Sequence, residues 1–417
     1  MFKKILSLIL AMLLTLSFAG CKKQQSTDNV NVDEVHKETE QKIDEFNWKE
    51  EDYSLVKLDN KVFKSENKNI DYKDGDVAIT KGGTYVLKGY YYGGIVVDTT
   101  DEVNLVFNTV QLFPSGEPAI KIENAKKVNI VLQEDTINTI TDKTIYENET
   151  GTISSNSDLF FIGGGALFIE SNSTAIMCEE NVTFGDSTIN IVAGLNGVFS
   201  KKCIHFIEGS IGVYCGENAI TSIQHIEVNK GYVQVKKAKE GLESLNIDIL
   251  DGTVEIVSDD DGINGTDKLE KNSNAVLNIK GGKITVNAGG DGIDVNGEIV
   301  MSDGIVFVYG TDNKDDGMID FDKTFEFKGG TLICAGYPHM LQKVTTSKEP
   351  TLFVGDIRFP ENSIVEITDS KNKELFEIKN PWGFTTFYMV SDQLKDGGTY
   401  NLVSEGKTIN NLTATRQ

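Results

Sequence analysis

The sequence predicts an all-β protein: a right-handed parallel β-helix with coils of about 22 residues and a small antiparallel β cap at the C-terminus. Three observations predict this fold. A landmark recurs at a nearly constant interval through residues 153–318. Apolar and polar residues alternate within each interval, which is typical of strands rather than helices. The 417 residues contain 40 glycines and only 6 prolines, which favours many tight turns.

The first residues indicate an export signal rather than part of the fold. Two lysines precede an apolar run that ends in small residues. The motif FAGC at residues 18–21 resembles a bacterial lipobox, with Phe18 where leucine is usual. We therefore expect residues 1–20 to be a lipoprotein signal peptide. Lipidated Cys21 would then anchor the protein in the lipid bilayer, at the extracellular face of the cell membrane; ordinary secretion is the alternative.

Residues 21–50 are polar and charged and indicate a tether without a core of its own. No second long apolar run follows, so the mature chain is not expected to span a membrane. The other four cysteines lack CxxC spacing, which argues against a zinc site built from them and favours buried free thiols. They are Cys178, Cys203, Cys215 and Cys334.

The repeat is anchored by an apolar residue that follows a small or acidic residue and a glycine-like residue. The anchors are Ile153, Ile176, Val198, Ile220, Leu242, Ile263, Ile293 and Met318, separated by 23, 22, 22, 22, 21, 30 and 25 residues. The step of 30 contains the insertion NGTDKLEKNSN. Earlier segments fit the same pattern, with anchors at Ile95 and Ile120. A left-handed hexapeptide helix would give roughly 18 residues per coil, so the three-sided right-handed form fits better.

Each unit reads as a strand, a glycine turn, a second strand, a polar loop and a short apolar strand. The turn glycines are Gly209, Gly231, Gly252, Gly282, Gly304 and Gly330. No unit can bury its apolar residues alone, so the units must stack, and residues 51–336 are predicted to form the β-helix. The rhythm stops at Tyr337, and residues 337–417 are predicted to be the cap, because an open β-helix end exposes unpaired strand edges.

Carboxylates recur at equivalent positions of successive units. The residues two positions before successive anchors are Asn196, Asn218, Glu240, Asp261, Asp291 and Asp316. The residues one position after the anchors are Glu243, Asn264 and Asp294, and in the last unit Asp320 lies next to Ile319. Asp260 and Asp315 lie in the same loops. We call the nine candidate metal ligands the acidic cluster: Glu240, Glu243, Asp260, Asp261, Asp291, Asp294, Asp315, Asp316 and Asp320.

Stacking places such carboxylates about 4.8 Å apart. At that spacing two ionised groups repel by about 3–4 kcal/mol at an effective dielectric constant near 20. Carboxylate, amide and carbonyl oxygens are the ligands that Ca²⁺ prefers, so the sequence predicts calcium in this cluster. The alternative is a solvated acidic edge that discourages aggregation. The β-roll nonapeptide GGxGxDxUx is matched only partly and only once, by GGDGIDVNG.

The loops DDGI and GGDGID, the GGxIxV strand pairs, the early GTYVLKG and the late GGTYNLV are similar to those of a known family. From about residue 70 onward the chain resembles bacterial carbohydrate-binding domain-containing proteins of the calcium-binding β-helix type. The resemblance implies an extracellular protein shaped like a pectate lyase. It would bind Ca²⁺ and a polysaccharide such as polygalacturonate or a cellulose-like glucan, without established cleavage. Residues 153–258 depart from the family pattern, because their loops are poor in acidic residues.

Binding without cleavage is the favoured interpretation, and the alternatives are a calcium-dependent polysaccharide lyase or hydrolase and a calcium-stabilised surface adhesion or spacer protein. Both arginines, Arg358 and Arg416, lie outside the coils, and the Gly-His-Gly and Arg-Ile-Lys strings of pectin hydrolases are absent. His205 and His225 lie on predicted strands and are interpreted as packing residues. The net charge of −23 argues against nucleic acid as a partner, because phosphate binding needs a basic face.

Sugar binding usually needs an aromatic platform beside polar groups. Tyr309 and Tyr337 lie next to acidic or glycine-rich loops and are the sugar-binding candidates. The run Tyr90, Tyr91 and Tyr92 is a further candidate. For each of them, packing within a strand or against the cap is the competing interpretation.

Overall fold

The computed structural model describes residue 49 and residues 52–146, 149–269 and 274–416. The predicted signal peptide, Cys21 and all of the predicted tether except residue 49 lie outside the described residues. Residue 49 and the residues described after it belong to one compact unit. The described chain is a parallel β-solenoid of about 11 turns with a small antiparallel sheet near the C-terminus, which confirms the predicted fold class. Among the described residues, no helix has the length and apolar character needed to cross a bilayer.

The strands at the N-terminal end are β1 (Tyr53–Asn60), β2 (Val62–Lys64), β3 (Ile70–Lys73), β4 (Asp76–Ile79), β5 (Gly83–Tyr91), β6 (Ile95–Asp98), β7 (Glu102–Leu112), β8 (Ile120–Asn124), β9 (Lys127–Leu132) and β10 (Ile137–Asp142). The strands of the central coils are β11 (Gly151–Ser155), β12 (Leu159–Ile162), β13 (Ala166–Ser171), β14 (Thr174–Cys178), β15 (Val182–Phe184), β16 (Thr188–Ala193), β17 (Val198–Ser200), β18 (Cys203–Phe206), β19 (Ser210–Tyr214), β20 (Ile220–Ser222), β21 (His225–Val228), β22 (Tyr232–Lys237), β23 (Leu242–Ser244), β24 (Asn246–Ile249), β25 (Thr253–Ser258), β26 (Ile263–Gly265), β27 (Ala275–Ile279), β28 (Lys283–Ala288), β29 (Ile293–Val295), β30 (Gly297–Met301), β31 (Ile305–Tyr309), β32 (Ile319–Phe321), β33 (Thr324–Phe327) and β34 (Thr331–Gly336). The C-terminal strands are β35 (Thr346–Ser347), β36 (Thr351–Val354), β37 (Ile364–Asp369), β38 (Glu374–Lys379), β39 (Thr386–Ser391), β40 (Thr399–Ser404) and β41 (Lys407–Thr413).

Each central coil contributes one strand to each of three parallel faces. The first face runs from β9 through β12, β15, β18, β21, β24, β27 and β30 to β33. The second face runs from β10 through β13, β16, β19, β22, β25, β28 and β31 to β34. The third face runs from β4 to β32 and contains the short anchor strands. Inward-facing apolar residues of all three faces form one continuous core.

The turn between the first and second faces requires glycine. All six predicted turn glycines have a positive φ, between 75° at Gly209 and 96° at Gly304. Residues with a side chain rarely adopt this left-handed conformation. A Cβ atom at Gly252 would also lie 2.7 Å from the carbonyl oxygen of Gly231 in the preceding coil. The turn glycines of successive coils therefore stack. Glycine recurs at this position both because φ is positive and because the backbone of the preceding coil lies close to it.

The predicted anchors pair in register along the third face, except at the last coil. Ile293 pairs with Ile319 rather than Met318, so the last predicted anchor is wrong by one residue. The Asp-Gly pair before Met318 imitates the earlier anchors, but Ile319 lies 10 residues after Tyr309, whereas Ile293 lies 6 residues after the paired Asn287, so the loop after β31 is four residues longer. The N–H of Gly292 donates to the carbonyl of Gly317, so Gly317, not Asp316, occupies the place equivalent to Asp291.

The C-terminal segment covers both the end and the side of the last coils. Strand β39 pairs antiparallel with β34 and so closes the edge of the second face. Tyr388 and Val390 on β39 join the solenoid core, whereas Phe387 and Met389 join a second core. The four-stranded antiparallel sheet of β38, β37, β40 and β41 packs on that second core.

The cysteines of the coils are free thiols, as predicted. Cys178, Cys215 and Cys334 are buried, and Cys203 is partly buried.

Candidate functional site

The acidic cluster lies at one corner of the solenoid, where second-face strands turn into third-face strands. Glu243, Asn264, Asp294 and Asp320 pair in register on β23, β26, β29 and β32. Backbone hydrogen bonds align a second column just before these strands: Gly241 donates to the carbonyl of Asp261, and Gly262 donates to that of Asp291. The fold thus brings together two adjacent columns of carboxylates at one corner.

Neighbouring coils hold the central carboxylates in place. Asp261 Oδ1 accepts the backbone N–H of Asp291 at 2.9 Å, and Asp291 Oδ1 accepts that of Gly317 at 2.5 Å. Each of these side chains therefore uses one oxygen to bind the next coil. This arrangement fixes the carboxylates rather than leaving them free to move apart.

Lysine side chains and an asparagine amide contact the carboxylates at the N-terminal end of the cluster. Lys268 Nζ lies 2.7 Å from Glu243 Oε2. Asn218 Nδ2 donates to the same oxygen at 2.5 Å and to Glu240 Oε2 at 3.3 Å. Lys239 Nζ lies 3.8 Å from Glu240 Oε1 and 3.7 Å from Asp260 Oδ2. These contacts already satisfy the charge of Glu243, which is therefore less available to a metal than the aspartates further along.

Burial makes ionisation of the central carboxylates costly. It raises the pKa of Asp294 to about 7, and repulsion from Asp261 and Asp291 adds to the effect. Burial likewise raises the pKa of Asp291 to about 7 and that of Asp261 to about 6. The pKa of Glu240 rises to about 7 through burial and the charge of Glu243. Without a counter-ion, these groups hold protons up to nearly neutral pH.

The C-terminal end of the cluster is more open. Asp315 is exposed and Asp316 is partly buried, and the Asn313 amide donates to Asp316 Oδ2. Burial and the charges of Asp260 and Asp315 raise the pKa of Asp316. Asp320 Oδ1 accepts hydrogen bonds from the Gln342 amide and from the backbone N–H of Phe321, the latter at 2.9 Å.

The donor set of the acidic cluster suits Ca²⁺, since it consists of carboxylate, amide and carbonyl oxygens. The carboxylates stack in pairs and do not converge on one point. Among the described residues, the one group with three His, Cys or carboxylate donor atoms within 4.8 Å of one another lies elsewhere. It is His225, Glu227 and Asp248, on the outer side of the first face. Sequence reasoning missed this group, although the His-x-Glu spacing on one strand was a readable signal.

The structure revises the aromatic candidates. Tyr309 is only 5% exposed and packs in the second core, so it cannot serve as an open sugar platform. Tyr337 is partly buried, and its ring stacks on His339. Tyr90 and Tyr92 are 43% and 51% exposed, whereas Tyr91 between them is buried.

Tyr92 also stacks on Phe113, with ring centroids 5.1 Å apart. It immediately precedes the glycines that lead into β6, so it lies at the same corner of the solenoid as the acidic cluster. Coils between Tyr92 and the acidic cluster present polar groups at the same corner: the hydroxyl of Thr174 and the amides of Asn196 and Asn218. A polar corner therefore extends from an aromatic end to an acidic end.

The fold and this corner define a class: a parallel β-solenoid with an acidic cluster in its loops. The model of the carbohydrate-binding domain-containing protein family matches residues 73–246 and 216–347. These matches cover more than half of the chain, and the protein belongs to this family.

Two known proteins are similar to parts of the chain. A carbohydrate-binding domain-containing protein from Acetivibrio thermocellus is 31% identical over an alignment 147 residues long, and the alignment covers 31% of this chain and 51% of that protein. The chain thus spans about half the length of this relative. The solved structure of a polysaccharide lyase-like protein from C. thermocellum, a gadolinium derivative, is 22% identical with a TM-score of 0.38. That likeness covers 68% of this chain and 95% of the other, and at this TM-score it supports no functional conclusion.

Proposed function

We propose that the protein binds polysaccharide at the cell surface, along the corner that extends from Tyr92 to the acidic cluster, with Ca²⁺ held in that cluster. Membership of the carbohydrate-binding family supports the first part. The stacked carboxylates Asp261, Asp291 and Asp294, whose pKa values burial raises, support the second part and are the observation that carries the calcium proposal.

Asp261, Asp291 and Asp294 would hold the ion, with Asp316 and Asp320 at the open end. When bound, Ca²⁺ supplies positive charge that offsets repulsion between the carboxylates and can bridge to acidic groups of a polymer. The protein needs such bridges to bind an acidic polysaccharide, because its own net charge is −23. A uronic acid polymer is therefore the preferred partner, ahead of a neutral glucan.

The distance along the corner favours a polymer over a single sugar. Six coil steps separate the anchors Ile95 and Leu242 along the third face. At about 4.8 Å per step, Tyr92 and the acidic cluster are about 29 Å apart. Only a chain of several sugar units can contact both. Stacking on the exposed tyrosines would add apolar contact that calcium bridges cannot provide.

The test is calorimetric titration of chelator-treated protein with Ca²⁺, followed by retention on polygalacturonate and on cellulose-like glucan with and without the ion. We expect saturable calcium binding and calcium-dependent retention on polygalacturonate.

Tyr92→Ala should weaken retention, whereas Tyr53→Ala, at an equally exposed tyrosine (51%) on β1, should not. No binding at millimolar Ca²⁺ would overturn the metal proposal. Release of unsaturated or reducing ends would indicate an enzyme, and calcium stabilisation without retention would indicate a spacer.

A further inference from the structure

A second cluster of metal-ligating side chains lies on the outer side of the first face, away from the acidic corner. On β21, Ile226 and Val228 face the core, so His225 and Glu227 face outward. Glu227 pairs in register with Asp248 on β24, which pairs with Asn278 on β27. Four polar side chains of three successive coils therefore share one outer surface.

The acidic and histidine side chains on this surface are largely buried. Glu227 is 1% exposed, and the side chains of Asp248 and His225 are 17% and 23% exposed. Two carboxylates on adjacent rungs repel each other in such surroundings, so positive charge placed beside them stabilises them. Acidic side chains are seldom buried to this degree unless they are paired.

The donor atoms already face one another. One ligand atom from each of His225, Glu227 and Asp248 lies within 4.8 Å of the other two. His225 Nε2 and Asp248 Oδ2 are 3.7 Å apart, which is longer than a hydrogen bond. Ligands of one tetrahedral ion with bonds of about 2.0–2.1 Å have donors about 3.3 Å apart, so small side-chain rotations complete the geometry.

A neighbouring amide orients one of the ligands. Asn278 Nδ2 donates to Asp248 Oδ1 at 2.7 Å, which leaves Oδ2 directed at His225. Such outer partners hold ligating carboxylates in metal sites. Lys280 Nζ also lies 3.7 Å from Asp248 Oδ2 and is the competing cation at this position.

We propose that His225, Glu227 and Asp248 form a binding site for a divalent first-row transition ion of the zinc class. One imidazole nitrogen and two carboxylates are a donor set that such ions accept, whereas Ca²⁺ prefers oxygen donors alone. The site is therefore chemically distinct from the acidic cluster. Three protein ligands leave a fourth position for solvent or a ligand.

The test is calorimetric titration of the chelator-treated full chain with Zn²⁺ in millimolar Ca²⁺, which saturates sites that prefer oxygen ligands. We expect one equivalent of Zn²⁺ to bind. His225→Gln, Glu227→Gln and Asp248→Asn should each weaken it at least about 10-fold. Glu298→Gln, on the same outer face at β30, is the matched control and should bind zinc as wild type does. Asp291→Asn should also leave zinc binding unchanged, which separates this test from the calcium proposal.

Two further measurements do not depend on the ligand variants folding correctly. Lys280→Met removes the competing cation and should strengthen zinc binding several-fold. Co²⁺ added to the wild-type protein should give the intense visible absorption of a four-coordinate nitrogen–oxygen site, and Zn²⁺ should abolish it. Absence of Zn²⁺ binding, binding that survives all three ligand substitutions, or a weak octahedral Co²⁺ spectrum would overturn the proposal.

Discussion

At the scale of single residues, the same carboxyl group behaves differently according to its partners. Glu243 lies against Lys268 Nζ and the Asn218 amide, which satisfy its charge. Asp291 and Asp294 have carboxylates as neighbours, and burial raises the pKa of each to about 7. The sequence predicts where these carboxylates stand but not which of them acquires a basic partner.

The raised pKa values predict how stability depends on pH in chelator-treated protein. The pKa values of Glu240, Asp291 and Asp294 are about 7 when folded, against about 4 when unfolded. Between these values the folded state binds more protons, so the free energy of unfolding falls as pH rises from about 4 through about 7. Thermal melts across this range should show a decreasing melting temperature. Saturating Ca²⁺ should flatten the decrease; a melting temperature that rises with pH without calcium would contradict the pKa values.

Asp291→Asn should separate repulsion from metal binding. In chelator at pH 8, the variant should melt no lower than wild type, because it loses a repelling charge and the new amide oxygen can still accept from Gly317. Added Ca²⁺ should raise its melting temperature less than that of wild type, since a ligand is lost. Asp71→Asn, at an exposed residue on β3, is the control and should show the full calcium effect. An undiminished effect in Asp291→Asn would exclude this residue as a ligand.

At the scale of secondary-structure elements, the glycine turn between the first and second faces determines the coil. Alternating apolar residues predict the strands, and the turn glycines predict their ends. Both signals are local, which explains why the strands around Gly209 to Gly330 could be located from sequence. The length of the loop after β31 had no comparable signal, and the register of the last coil was therefore misassigned.

Gly252→Ala should destabilise the protein by about 1–3 kcal/mol, because alanine is strained at a φ of 92°. Its Cβ atom would also meet the carbonyl oxygen of Gly231. Gly355→Ala is the matched control, since no heavy atom lies within 4 Å of a Cβ there and its φ is not left-handed. Urea unfolding midpoints of the two variants measure the difference. Equal midpoints would mean that the turn tolerates side chains.

At the scale of the whole molecule, stability depends on closing a stack of coils that would otherwise end in open strand edges. Strand β39 closes the edge of β34, and the second core covers the outer sides of Phe307 and Ile333. Apolar residues on the outside of the last two coils are therefore part of the fold rather than an exposed patch.

Removal of residues 351–417 should expose that edge and that apolar surface together. We expect the truncated protein to self-associate, because unpaired strand edges and large apolar patches both promote association. Light scattering coupled to size-exclusion chromatography, with the full chain as reference, measures the effect. A truncated monomer with the melting temperature of the full chain would show that the solenoid closes without these residues.

The sequence by itself determined the features that depend on local chemistry. Alternation predicted the strands, the recurring glycines predicted the turns, and the repeat placed Asp261 and Asp291 in one column, because equivalent positions of stacked coils must meet. Only the tertiary structure decided which residues of different segments come together. Tyr309 is buried beneath the C-terminal strands, and Ile319 rather than Met318 is the anchor of the last coil. His225 and Glu227 lie beside Asp248. These outcomes depend on loop length and on how separate strands pack, for which no short stretch of sequence carries a signal.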